Sequence, residues 1–314
     1  MSSNSMQSNN LIQNFNYCMD LVKRTDYENY LCTLLAPSSV KELLFVLHAY
    51  NSILSQILEQ TKIKETSLMR FKFWDETINR IFETDSCSRN PIARSLLNMN
   101  RKYKLDKTLL QGMITARQCS IGNPTFINLK NLEKYLEDVG TPIYSIPLNI
   151  LCPNNDSNLK MSKHICKSIG MVNFVRSIPY HATRNSVLIP LDLLSQNNLT
   201  SNDVLSIWRT KESPIKTLTK KYPATNSILK NLSLVIEHNL YQARQLKHQI
   251  PSSAFSLFLC TDIIDTFLKR VKRNEYNFLD TLRMYELHGR NKLVRRNRNW
   301  LPARLLCRKL LKIY

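Results

Sequence analysis

Five glycines in 314 residues leave the chain few places to adopt positive φ freely or to lay its backbone against a phosphate. Gly112 is followed by neither a P-loop nor a G-x-G-x-x-G spacing. Glycine this scarce argues against Gly-rich phosphate loops, Rossmann turns and β-barrels, and favours helices. Apolar residues recurring at helical period dominate. Such patterns run over residues 11–23, through D-Y-E-N-Y-L-C-T-L-L-A-P, and through K-E-L-L-F-V-L-H-A-Y-N-S-I-L-S-Q-I-L-E. Ser38 or Ser39 is placed to cap the last of these, with Glu42 in capping-box position to Ser39. Pro91 falls at a first-turn position of N-P-I-A-R-S-L-L. Further helices are expected over 105–119 and 128–139, in one ending at Val175, and along most of the chain after Asn198. Connections are expected near Pro142 and Pro153, and V-L-I-P-L-D-L-L is the one candidate for extended structure. The expected fold is a single all-α domain: no internal repeat appears, and no linker is long enough to divide the chain.

The chain carries 44 Lys and Arg against 24 Asp and Glu, a formal net charge of +20, which points to an anionic partner. Eight scattered cysteines and six dispersed histidines form no C-x-x-C or zinc-ligand spacing, so reduced core thiols are expected and no resident cofactor is. Nucleic acid is a weak reading, because no zinc-finger, RRM-like or KH-like signature accompanies the charge. The longest apolar run, A-F-S-L-F-L-C, is far short of the roughly 20 residues needed to span a bilayer. The first 19 residues hold no acid, as in a transit peptide, but no Lys or Arg either, so this segment reads as disordered or weakly targeting. From Arg290 to Tyr314 the chain has nine basic residues and no acid, with Trp300 and several leucines near helical spacing. That pattern suits an anionic membrane surface or an acidic partner, with Arg295, Arg296, Arg298, Trp300, Arg304, Arg308, Lys309 and Lys312 as the contacts. It equally suits a last helix that packs its leucines on the core.

Six blocks, read together, carry a resemblance. They are D-Y-E-N-Y-L-C-T-L-L-A-P, F-V-L-H-A-Y-N-S-I-L-S-Q-I, L-M-R-F-K-F-W-D-E-T-I-N-R-I-F, N-P-I-A-R-S-L, M-I-T-A-R and R-S-I-P-Y-H-A-T-R-N-S-V-L-I-P. In this order they resemble the squalene/phytoene synthase family of head-to-head prenyl synthases over roughly residues 26–270. They resemble also its mitochondrial branch, which serves assembly of respiratory complex I. The resemblance implies an isoprenoid-synthase-like helical bundle round a central cavity, occupying residues 26–285. An N-terminal segment 1–25 precedes it and a basic amphipathic segment 286–314 follows.

Active members of the family carry two acidic clusters whose carboxylates bind Mg²⁺ and, through it, the diphosphate of a prenyl substrate. With Tyr50 on the aromatic of the first cluster, the acid positions fall on Ser55, Gln56 and Glu59. In the second, Asn173, Arg176 and Pro190 match, but the acids become Ser177, Tyr180 and His181. One carboxylate of six remains, so no metal site and no catalytic residue is expected. Ser177 and His181 are four apart and share a face if the helix reaches that far. Trp74 and Phe73 are either cavity-lining or core residues. The S-x-x-Y-H replacement is similar to that of the mitochondrial branch. It implies a non-catalytic factor for complex I, peripheral on the matrix side of the inner membrane. Its partners would be complex I subunits or other assembly factors and anionic lipid, with a cavity open to a lipid or isoprenoid. A divergent prenyltransferase acting on prenyl diphosphates and a lipid- or isoprenoid-binding module are the alternatives.

Overall fold

The computed structural model describes residues 2–61, 63–122, 125–209, 221–286 and 292–313. Among them are fourteen α-helices and no strand. They are α1 (Ser2–Thr25), α2 (Tyr27–Leu34), α3 (Ser38–Gln60), α4 (Lys64–Glu83), α5 (Pro91–Tyr103), α6 (Lys107–Gln118) and α7 (Leu129–Leu151). There follow α8 (Ser157–Ala182), α9 (Leu191–Gln196), α10 (Ser201–Arg209), α11 (Lys221–Gln245), α12 (Thr261–Arg273), α13 (Phe278–Glu286) and α14 (Lys292–Leu310). Two short 3₁₀ stretches, Lys247–Gln249 and Ser252–Phe258, join α11 to α12.

Short polar side chains set many of the starts. Asp26 accepts from the Asn29 amide ahead of α2, Asn90 from Ile92 and Ala93 ahead of Pro91, and Asp106 from Thr108 and Leu109. Each satisfies backbone N–H groups that have no partner inside the helix. The capping box expected at Ser39 does not form: Pro37 is the N-cap of α3 without a side-chain bond, and Glu42 pairs with Lys102 instead. The chain turns out of α5 through Lys104 in the left-handed region at φ 52°, its N–H donating to Asn100 O.

α8 is the centre of the bundle. Met161, Ile165, Val172, Val175 and Ile178 are buried, and so are Ser162 and Ser168, so nearly its whole circumference is covered by α7, α11, α12 and α13. A helix buried all round needs no single apolar stripe. Both α7 and α8 run on where the sequence predicts a connection near Pro142 and a helix end at Val175. Pro142 and Pro147 lie inside α7, and Pro179 inside α8, which continues past Val175 to Ala182. A proline there costs a hydrogen bond and roughly 3 kcal/mol, and packing on both faces outweighs the loss.

Two other expectations are corrected. V-L-I-P-L-D-L-L finds no partner strand; it is a connection with Val187 and Ile189 buried, leading into α9. The Leu191 and Asp192 amides donate to Phe126 O and Ile127 O. Where the sequence sets residues 1–25 apart, α1 buries Cys18, Leu21 and Val22 against α3 and α5 and joins the core.

Candidate functional site

A cavity of about 670 Å³ opens between α3 and α8 and is walled also by α6 and α7. Because α8 extends to Ala182, Ser177 and His181 do share a face, and both line this cavity with Tyr180. Ser55 and Glu59 line it from α3. Five of the six motif positions thus converge; Gln56 turns aside and accepts from Gln60 Nε2 at 3.2 Å. The motif hydroxyls are used within their own helices, Ser55 Oγ donating to Ser52 O at 2.9 Å and Ser177 Oγ to Phe174 O at 2.7 Å. Tyr180 meets His181 edge-on with centroids 5.2 Å apart, and the Arg184 guanidinium lies 3.6 Å over the Tyr180 ring. Trp74 is core, packed edge-on to Tyr50 at 5.4 Å, and Phe73 is exposed.

The residues present do not fit Mg²⁺, which wants several oxygen ligands in near-octahedral array. Among the described residues, Asp26 and Glu59 alone bring carboxylates to the cavity. Asp26 is held in the cap of α2 by Asn29, while Glu59 sits exposed at the rim. No group of three or more His, Cys, Asp or Glu placed to hold a metal ion occurs among the described residues. Against those two carboxylates stand Lys64, Arg117 and Arg184, so the wall carries a slight positive excess. The cavity's cysteine is no better placed as a nucleophile: burial pushes the Cys166 thiol up to about 12.

His48 and His181 both line the cavity, and burial pushes each imidazole below its ordinary value, opposed at His48 by Asp26. The unfolded chain binds protons at these histidines from about pH 6.5 downward, and the folded chain resists doing so. Their contribution to stability is therefore fully present above that pH and declines below it. Denaturant unfolding followed from about pH 7.5 to about pH 5 should show falling stability, with a shallower slope in the H48Q/H181Q double variant. An equal slope in the variant would refute the assignment.

Arg176, matched by sequence to the second motif, faces away from this cavity. It donates to both carboxylate oxygens of Glu28, at 2.7 and 3.2 Å, and lies 5.1 Å over the Tyr285 ring. It lines a second hollow of about 550 Å³ with Arg24, Arg270 and Arg304; Asp26 and Asn173 belong to both hollows.

α14 closes the far side of that second hollow. Leu301 and Leu305 are buried. Arg304 meets Asp262 at 2.5 Å, and Arg308 reaches Asp262 at 2.9 Å and Asp265 at 2.7 Å. Two of the expected surface contacts thus spend their charge inside the chain. Trp300, Lys309 and Lys312 stay exposed, as do Leu306, Leu310 and Leu311. The side chains of Arg295, Arg296 and Arg298 lie outside the described part.

Sequence reading passed over Arg117, whose position had a visible signal. Leu110, Met113, Ile114 and Arg117 follow one face of α6, so a charge sits in an apolar stripe.

An all-α bundle closed round a cavity, with two motif helices facing each other across it, is an architecture seen in prenyl synthases that couple two isoprenoid chains. The chain belongs to the squalene/phytoene synthase family, whose model matches residues 22–297. Its relatives include human NADH dehydrogenase (ubiquinone) complex I, assembly factor 6, at 28% identity over 261 residues, covering 83% of this chain and 74% of that protein. The Drosophila melanogaster homolog of that factor is 29% identical over 302 residues, covering 94% and 83%. A phytoene synthase of Arthrospira platensis is more distant, 18% identical over 205 residues and covering 61% and 66%. Among solved structures, a dehydrosqualene synthase in complex with ligand superposes with a TM-score of 0.73 at 13% identity, covering 95% of this chain and 96% of its own. Squalene synthase HpnC from Alicyclobacillus acidocaldarius gives 0.70 at 17% identity, covering 85% and 96%.

Proposed function

We propose that this chain is a non-catalytic assembly factor for mitochondrial respiratory complex I, working peripherally at the matrix face of the inner membrane. The observation that carries the assembly role is the similarity, along most of both chains, to relatives named for it. The cavity supports the absence of catalysis. Ionising a prenyl diphosphate requires a cation to neutralise the leaving group, and the positions that would hold Mg²⁺ offer a single exposed carboxylate, Glu59. A fold alone does not supply the chemistry of its relatives.

Attachment at a membrane surface is supported by α14. Its exposed Trp300, Leu306 and Leu310, together with the exposed Lys309, are the residue types of an interfacial helix on anionic lipid. No helix among the described residues is long and apolar enough to cross a membrane.

Deleting the gene in its own cells is the test. Complex I measured on native gels should be lost and restored by the full chain. Fractionation of the same cells should recover the chain with mitochondrial membranes, from which high salt releases it. Normal complex I in the deletion, or the chain in a soluble fraction outside mitochondria, would refute the proposal.

A further inference from the structure

None of the six motif positions explains Arg117. It is only 3% exposed, and it lines the central cavity. Nη1 donates to Met113 O at 3.0 Å and Nη2 to Asn51 Oδ1 at 2.5 Å, while Nε has no acceptor among the described residues. Of five N–H donors in a guanidinium, two are therefore used. Burial disfavours its charged form, opposed by the phenols of Tyr135 and Tyr50, and no carboxylate is among the groups acting on it. Other part-buried arginines of the bundle are treated differently: Arg176, Arg244, Arg304 and Arg308 each face a carboxylate. A buried guanidinium keeps its proton, and leaving it without a counter-charge is costly. The Asn51 amide satisfies one donor and neutralises nothing.

The rest of the cavity is apolar along one side. Leu136, Val139 and Ile143 of α7 and Ile169 and Phe174 of α8 form that wall, while Lys64 and Arg184 stand exposed at the rim. The volume lies well inside the roughly 300–1,000 Å³ of small-molecule sites. One buried cation with spare planar donors, next to an apolar wall, is complementary to an oxyanion on a hydrocarbon chain.

We propose that the cavity binds a single-chain amphiphile with an anionic head, a carboxylate or a phosphate monoester. Its oxygens pair directly with the Arg117 guanidinium, without a metal, and its tail lies along Leu136, Val139 and Ile169. The wall's positive excess draws the head in, and the two carboxylates, Asp26 and Glu59, are too few to repel it. The inference rests on reading this cavity as one without diphosphate chemistry.

The test is calorimetric titration of the purified full chain, in the presence of a chelator, with palmitate and with hexadecyl phosphate. Hexadecanol and inorganic phosphate are the controls for tail alone and head alone. At least one of the two anionic amphiphiles should bind, at least tenfold more tightly than either control, and which one binds identifies the head. Arg117→Gln should weaken that binding at least tenfold. Ile169→Trp, which fills the apolar end and leaves Arg117 untouched, should abolish it while the protein still melts cooperatively. Arg117→Lys, which keeps the charge but loses the fork, should fall between wild type and R117Q, and it decides the matter with I169W if R117Q does not fold. No binding to the wild type, binding by R117Q equal to wild type, or controls binding as tightly as the amphiphiles would overturn the inference. The same preparation given farnesyl diphosphate and Mg²⁺ separates the two claims: pyrophosphate release would refute the non-catalytic reading, whereas failure of the titrations alone would refute only the amphiphile.

Discussion

Replacing Asp262 with alanine is expected to release α14 from the bundle. The carboxylate is 4% exposed and receives both Arg304 and Arg308. Removing one partner of a buried ion pair costs about 3–5 kcal/mol, because the remaining charge is stranded. Here the two arginines keep partial access to water, which places the loss near the lower end, about 3 kcal/mol. What remains to hold the helix is the Arg308–Asp265 pair and the burial of Leu301 and Leu305, each leucine contributing about 1.5–3 kcal/mol. The loss at Asp262 is similar in size to the burial of one or two leucines, so the docking of α14 is strongly weakened although Arg308 keeps Asp265. Hydrogen exchange read on peptides covering 300–310 should show protection lost in D262A while α7 and α8 keep theirs. Asp265→Ala should do less, since Arg308 retains Asp262. Unchanged protection of α14 in D262A would remove Asp262 as its anchor.

The second large effect is expected at Gly140, where α7 crosses α8. A Cβ there would lie 2.6 Å from Cys166 Cβ and 3.6 Å from Cys166 Cα. A Cβ is fixed to its backbone and cannot swing aside, so the helices must part. Overpacking costs typically 1–3 kcal/mol, and Gly140→Val belongs at or above about 3 kcal/mol. Gly170 makes the contrast. Its Cβ would meet the tip of Leu136 at 3.0 Å, a flexible end, and replacing a helical glycine gains about 1 kcal/mol of propensity. Gly170→Ala should therefore be close to neutral in thermal unfolding, and G140V should melt many degrees lower or fail to fold. Similar melting of the two variants would show that the crossing has slack.

How much of this was legible beforehand depends on how local each determinant is. Helix existence was legible, because periodicity and the Asn90–Pro91 start are local signals. The prolines misled for the opposite reason: Pro142, Pro147 and Pro179 break isolated helices, and only burial between neighbouring helices retains them. That Ser55 with Glu59 and Ser177 with His181 each share a helix face was legible, since each pair repeats at four residues. Gln56 was not, because one residue's offset turns a side chain about 100° round the helix. Arg304 and Arg308 read as free basic residues since their acids lie some forty positions earlier. Arg117 shows the same blindness: its stripe signals burial, but the lack of a carboxylate opposite it is a property of the assembled bundle.

The sign of the cavity wall has a bearing on control. With Lys64, Arg117 and Arg184 outnumbering Asp26 and Glu59, the interior attracts anions in its resting state. A pocket that first needs a divalent ion to become attractive is gated by the supply of that ion. This one has no such gate, so swings in free magnesium in its compartment leave its occupancy to the concentration of the anion alone.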